Sequence, residues 1–124
     1  MSFKQYLAEQ ETARQVIQVP DSVSISDPQV RDTINQHLNH ELTDLILSPQ
    51  SGIQKIRRVL QLSGLDMPAL YEVETEGDEL VFEVGQYFLY LIYYLADDGR
   101  YDFYAELTDE AGLTEILSEE DEEE

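Results

Sequence analysis

Tyr87-Phe88-Leu89-Tyr90-Leu91-Ile92-Tyr93-Tyr94-Leu95-Ala96-Asp97-Asp98-Gly99-Arg100-Tyr101-Asp102-Phe103-Tyr104-Ala105-Glu106-Leu107 is the stretch that decides the fold. Residues 87–95 form a near-continuous apolar run, about half the length needed to span a bilayer as a helix. Such a run suits a central strand covered on both faces. Asp97-Asp98-Gly99 is a turn signal, with glycine available for a positive φ. Beyond it Tyr101, Phe103, Ala105 and Leu107 alternate with Arg100, Asp102, Tyr104 and Glu106, the two-residue period of a half-exposed strand. The stretch therefore predicts an antiparallel hairpin pairing residues 87–95 with 100–107.

Upstream, residues 70–75 and 79–84 read as two further strands joined around Glu76-Gly77-Asp78. Before Pro68 the period changes to that of a helix. Asp27-Pro28 pairs an N-cap with proline at the first helical position. Val30, Ile34, Leu38, Leu42 and Leu45 follow on one stripe, predicting a helix to about residue 47. Ser48-Pro49 repeats the device. Ile53, Ile56, Val59 and Leu60 then mark a helix closed by Gly64 as a left-handed cap, with Pro68 beyond. At the start, Ser2 and Gln5 are spaced as a capping box, and Phe3, Tyr6, Leu7, Ala13 and Ile17 share one side. That predicts a first helix over residues 2–17, ended by Val19-Pro20 and followed over 21–26 by a loop or short extended piece in which Val23 and Ile25 alternate with serines.

Downstream, Thr108 is read as the cap of a short last helix carrying Ala111, Leu113, Ile116 and Leu117. Carboxylates at a helix C-terminus oppose its dipole by roughly 0.3–1 kcal/mol each. Residues 119–124 are therefore expected as an acidic tail rather than more helix. The expected fold is α+β: three N-terminal helices, a three- or four-stranded antiparallel meander, a short C-terminal helix and the tail. Residues 1–118 form a single domain in this reading and 119–124 the tail.

Charge is distributed unevenly. Of the net −20 over 124 residues, residues 1–58 carry six basic and seven acidic side chains. Residues 59–124 carry twenty acidic ones and a single base, Arg100. Such a field attracts cationic partners and repels nucleic acid and anionic membrane. A halophile's solvating carboxylates would be spread over every face, and segregation favours a functional acidic surface instead. There is no cysteine, so neither disulfides nor thiolate chemistry arise. The N-terminus lacks the apolar core of a signal peptide, so the expected location is cytoplasmic or particle-associated (a virion) rather than secreted by that route.

Catalytic signatures are missing. His37, His40 and Glu41 are spaced for one helix face, but no further ligands are foreshadowed and neither zincin order is present, so no metal is expected there. The acidic turns at 74–79 and 97–102 lack the calcium-loop pattern. No phosphate loop, nucleophile elbow or dinucleotide fingerprint occurs. With 27 acidic residues a pair of neighbouring carboxylates is guaranteed and carries no information about hydrolysis. The expectation is a protein that is not an enzyme and has no cofactor, with a carboxylate-dependent hydrolase as a distant third. Lys55, Arg57 and Arg58 are the sole basic cluster, a poor nucleic-acid footprint beside so many carboxylates, and are expected to pair with the acidic half within the fold.

Ten of the twelve aromatics lie between Tyr71 and Tyr104, and eight of the twelve are tyrosine. Phe82, Phe88 and Phe103 are natural core residues. Tyrosine tolerates a wet edge and is enriched at interfaces. The candidate partner-binding set is Tyr90, Tyr93, Tyr94 and Tyr104, rimmed by Glu72, Glu74, Glu83, Asp102 and Glu106, together with Glu119, Glu120, Asp121, Glu122, Glu123 and Glu124. The sequence thus points to a non-enzymatic acidic interaction protein. The first expectation is a small structural or assembly component of the virus-particle type. It would dock onto a protein with a basic or mixed surface, as a homo-oligomer or part of a multi-subunit assembly, without direct nucleic-acid or membrane contact. The alternative is a nucleic-acid mimic that inhibits a DNA- or RNA-binding protein.

Overall fold

The computed structural model describes residues 15–68 and 73–122. Among them the order is β1 (Gln15–Ile17), α1 (Pro28–Leu42), α2 (Pro49–Leu62), β2 (Gly77–Val84), β3 (Tyr87–Leu95), β4 (Tyr101–Thr108) and α3 (Glu110–Glu122). The architecture is α+β, with a four-stranded sheet in the order β1-β2-β3-β4. Strands β2, β3 and β4 form the antiparallel meander, with Leu91 opposite both Leu80 and Ala105. β1 is parallel to β2, Ile17 lying opposite Val84.

Both Asx/Ser-Pro starts form as their chemistry requires. The Asp27 carboxylate accepts from Gln29 N at 2.9 Å, and Ser48 Oγ accepts from Ser51 N at 3.1 Å. Gly64, at φ 85°, ends α2, and Leu65 N reaches back to Leu60 O at 2.8 Å in the six-to-one bond of a Schellman cap. α1 stops earlier than its stripe suggests. Thr43 caps it, its hydroxyl donating to His40 O at 2.7 Å, and Leu45 and Leu47 are exposed while Ile46 is buried.

The first helix is corrected by the structure. Residues 2–14 lie outside the described residues, but 15–17 are a strand. The β-branched run Val16-Ile17, with Val19 held extended by Pro20, alternates between an exposed Val16 and a buried Ile17. Two helices, not three, thus precede the meander among the described residues, and the fourth strand is parallel rather than part of the meander. The strand expected over 70–75 falls partly on 69–72, outside the described residues, and 73–75 are not strand.

Nor is Glu76-Gly77-Asp78 a turn: Gly77 opens β2. An added Cβ there would stand 2.6 Å from Tyr93 O, so only glycine, at φ 146°, allows the two strands to approach this closely. The turn lies at Gly85-Gln86, between the expected strands 79–84 and 87–95. Gly85 at φ 64° occupies the first central position, as a type II′ hairpin demands.

The main core lies between the sheet and the α1–α2 pair. Ile34, Leu38, Leu42, Ile53, Ile56, Val59 and Leu60 from the helices meet Phe82, Val84, Leu89, Leu91, Tyr93, Ala105 and Leu107 from the strands. These strand residues alternate, so their neighbours Val81, Glu83, Phe88, Tyr90, Ile92, Tyr94, Asp102, Tyr104 and Glu106 point to the opposite face. α3 lies against β3 and β4, and its Leu113 is buried outside the main cluster, as is Tyr90.

α3 begins on Asp109, not Thr108. The Asp109 carboxylate accepts from Gly112 N at 2.8 Å, while Thr108 is still the last residue of β4. The helical backbone continues through Glu122, so residues 119–122 extend α3 instead of leaving it as a tail. Glutamate is a good helix former, and this outweighs the modest dipole penalty. Residues 123–124 lie outside the described residues. Among the described residues no helix is long and apolar enough to cross a membrane.

Candidate functional site

The sheet face turned away from α1 and α2 collects tyrosines and carboxylates by strand alternation and register. Tyr94 on β3 stands directly opposite Asp102 on β4, and Ile92 opposite Tyr104. Tyr94 and Tyr104 are 55% and 48% exposed, large for aromatic side chains on a sheet. Tyr90 lies two residues from Ile92 on the same face but is buried, its ring 6.4 Å from that of Tyr104 and tilted by 60°.

Each of these phenols is tied to a carboxylate. Tyr90 donates to Glu79 Oε2 at 2.7 Å and Tyr104 to Glu106 Oε1 at 3.1 Å. The Asp102 charge beside Tyr94, helped by a hydrogen bond from the phenol to that carboxylate, raises the Tyr94 pKa above the ordinary phenol value. The bonds fix where these carboxylates sit. The face is therefore a set of oriented acids beside aromatic rings, and that combination suits a guanidinium or ammonium. The protein already makes one such pair internally, with the Arg31 guanidinium 4.5 Å from the centre of the Tyr87 ring.

Not every candidate lies on this face. Tyr93 is 1% exposed and points into the core, stacked on Phe103 at 4.8 Å and 11°. Its hydroxyl donates to Glu74 O at 2.7 Å, and burial, followed by the Asp78 and Glu74 charges, pushes its pKa up to about 12. Adjacent strand residues face opposite ways, so Tyr93 cannot share a surface with Tyr94. Tyr90 belongs to the face but is only 2% exposed, and so supports the exposed rings from behind.

Among the acids, Asp102 is exposed and Glu83 and Glu106 are half-buried on the face turned away from α1 and α2. Glu74 is exposed in the segment preceding β2, away from this surface. Glu119, Glu120, Asp121 and Glu122 are carried by the α3 backbone. Glu72, Glu123 and Glu124 lie outside the described residues. Val81, Glu79 and Ile92 also contribute to the face and were signalled only by their two-residue spacing from other members.

Elsewhere the polar clusters have local explanations. His37 and His40 are exposed on α1, and among the described residues no three His, Cys, Asp or Glu side chains are grouped to hold a metal. Lys55 lies 3.8 Å from both Glu41 and Asp44, carboxylates of the nearly neutral half rather than the acidic one. That corrects the expected pairing, because α2 packs against α1 and its loop. Arg57 Nε donates to Met67 O at 3.2 Å. Asp98 accepts from the Arg100 backbone N–H at 3.1 Å and from its Nε at 2.6 Å, which together hold its carboxyl below the usual range. Comparison with protein-family models, with curated proteins and with solved structures returned no match.

Proposed function

We propose that this protein is a non-catalytic, acidic docking component that binds a basic, partly apolar surface of a larger protein assembly through the sheet face turned away from α1 and α2. The observation that carries the reading is the half-exposed pair Tyr94 and Tyr104 beside Asp102 and Glu106. Large aromatics are left wet on a sheet at a cost in unburied area, and in interfaces such tyrosines supply contact area with little side-chain entropy to lose. Oriented carboxylates beside them select a cationic partner and speed its approach.

A nucleic-acid mimic is the second reading. It is favoured by the net −20 and by the helical backbone that carries charge as far as Glu122.

The test is quantitative affinity capture from a lysate of the source cells with the wild-type chain and with a Tyr94→Ala/Tyr104→Ala variant, each with and without excess duplex DNA. A protein held by the wild type, lost by the double variant and indifferent to DNA supports docking through the sheet face. Displacement by DNA supports the mimic. Equal capture by both chains removes the tyrosine face from the account. The variant's unfolding midpoint serves as the control that its fold is intact.

A further inference from the structure

The outer edge of β4 presents a row of backbone hydrogen-bonding groups. The alternation of its backbone groups is fixed by bonds at both ends. Ala96 N donates to Arg100 O at 2.8 Å on the β4 side of β3, while Leu95 N donates to Glu76 O at 3.0 Å on the β2 side. With the unbroken register from Leu95–Tyr101 to Phe88–Thr108, the even-numbered residues of β4 bond to β3. The N–H and C=O groups of Tyr101, Phe103, Ala105 and Leu107 therefore point outward along about 20 Å of edge.

The two ends of this row are pinned. Tyr101 N donates to Ile46 O at 2.9 Å. Leu107 N donates to Asn35 Oδ1 at 2.7 Å, and Asn35 Nδ2 donates to Leu107 O at 3.0 Å. Between them, no described residue bonds the outward groups of Phe103 and Ala105, although Ala105 is only 6% exposed. These groups open into a cleft of about 350 Å³ between β4 and one stripe of α1, whose walls include Asp32, Gln36, Asn39 and Glu106. Buried backbone donors and acceptors are nearly always paired, and a ready row of both is what an added strand uses.

We infer that the β4 edge, between the Ile46 and Asn35 pins, binds a short extended segment of a partner protein by main-chain hydrogen bonds to Phe103 and Ala105. The segment is basic. Asp32 and Glu106 supply charge to the cleft, no basic side chain among the described residues lines it, and Gln36 and Asn39 offer neutral amides for the remaining polar contacts. The pins limit the paired length to the middle of the strand, which keeps the edge from templating open-ended β-association. A second copy of the chain is a poor occupant, because each carries a net −20. The site shares Glu106 with the sheet face but recognises backbone rather than an exposed aromatic surface.

The experiment follows amide hydrogen exchange residue by residue in the full chain, alone and with a capped peptide of alternating lysine and valine. In the free protein the Phe103 and Ala105 amides exchange faster than those of Tyr104 and Glu106. On adding the peptide they slow by about tenfold or more. A peptide of the same sequence, N-methylated on alternate backbone nitrogens, keeps the charge but not the donors and gives no such protection. Asn39→Arg, at an exposed helix position, sets a cation on the cleft wall and weakens the protection, whereas Tyr94→Ala leaves it unchanged. Slow exchange of the Phe103 and Ala105 amides in the free protein would overturn the inference. So would equal effects of the two peptides, or no protection at millimolar concentration.

Discussion

Asn35 and Leu107, 72 residues apart in sequence, are joined through both ends of one carboxamide: Nδ2 donates to Leu107 O at 3.0 Å and Oδ1 accepts from Leu107 N at 2.7 Å. A side chain of α1 thus substitutes for the strand that β4 lacks on its outer side. Protection of an edge by a covering helix is a general device, but here a single residue satisfies both backbone groups.

Asn35→Ala is expected to destabilise the protein by about 1–3 kcal/mol, as two backbone groups lose their partner beside a cleft that water can enter only in part. Asn35→Asp retains the acceptor but sets a carboxylate against the Leu107 carbonyl, so it should be at least as damaging. Urea unfolding gives the loss, and faster exchange of the Leu107 amide locates it. An Asn35→Ala chain as stable as wild type would show that the pin contributes nothing.

Much of the scaffold was legible because its signals are local. Asp27-Pro28 and Ser48-Pro49 carry the donors, acceptors and fixed φ that start a helix, and no distant partner is needed to read them. The β3–β4 hairpin was legible in the same way, with Gly99 at φ 86° in its connection. β1 was not, because three residues become a strand only through β2, and the spacing from Phe3 to Ile17 also fits a helical period. Gly85-Gln86 falls in the gap between the expected strands 79–84 and 87–95, where its glycine is the local mark of the turn. For the site, alternation alone places Tyr94, Asp102, Tyr104 and Glu106 on one face. The same alternation removes Tyr93, a consequence that grouping by residue type overlooks. The Asn35 pin and the cleft beside it depend on how α1 lies along β4, which no local pattern encodes.

Gly52 and Phe103 define a second tight relationship. A Cβ added at Gly52 would collide with the Phe103 ring. Gly52→Ala in an exposed helix would stabilise by about 1 kcal/mol, but here overpacking costs about 1–3 kcal/mol and wins. The expected result is a lower unfolding midpoint for Gly52→Ala and partial recovery when Phe103→Leu is added. Strict additivity of the two substitutions would mean that the ring and the glycine do not compete for space.

Tyr93 makes stability fall at alkaline pH. Its folded pKa is raised to about 12, so the folded state holds the proton that the unfolded chain releases near pH 10. The stabilisation is complete below about pH 10 and is lost as pH rises from about 10 through 12, by on the order of 2–3 kcal/mol. Tyr93→Phe removes this slope while also losing the hydrogen bond to Glu74 O. Absorbance titration of the phenols, with unfolding free energies measured across the same window, checks it. A wild-type slope unchanged in Tyr93→Phe would assign the alkaline loss to another group.

The acidic end of α3 sets stability against association. Glu119, Glu120, Asp121 and Glu122 stand in its last turns, where no basic residue offsets them. Replacing them by Gln, Gln, Asn and Gln should stabilise the fold by about 1 kcal/mol or more at low salt, because each charge opposes the helix dipole by roughly 0.3–1 kcal/mol. The gain should shrink as salt rises, since the Debye length falls from about 10 Å at 0.1 M to about 3 Å at 1 M. The same replacement should slow association with a basic partner and flatten its salt dependence, leaving dissociation nearly unchanged, because long-range charge acts chiefly on the encounter. Thermal unfolding and stopped-flow binding over a salt series measure the two sides separately. Opposite signs would identify the acidic run as a steering element retained at the expense of helix stability. A stability gain with unaltered association would instead leave the run as a solubilising end, and the capture of cations to the sheet face alone.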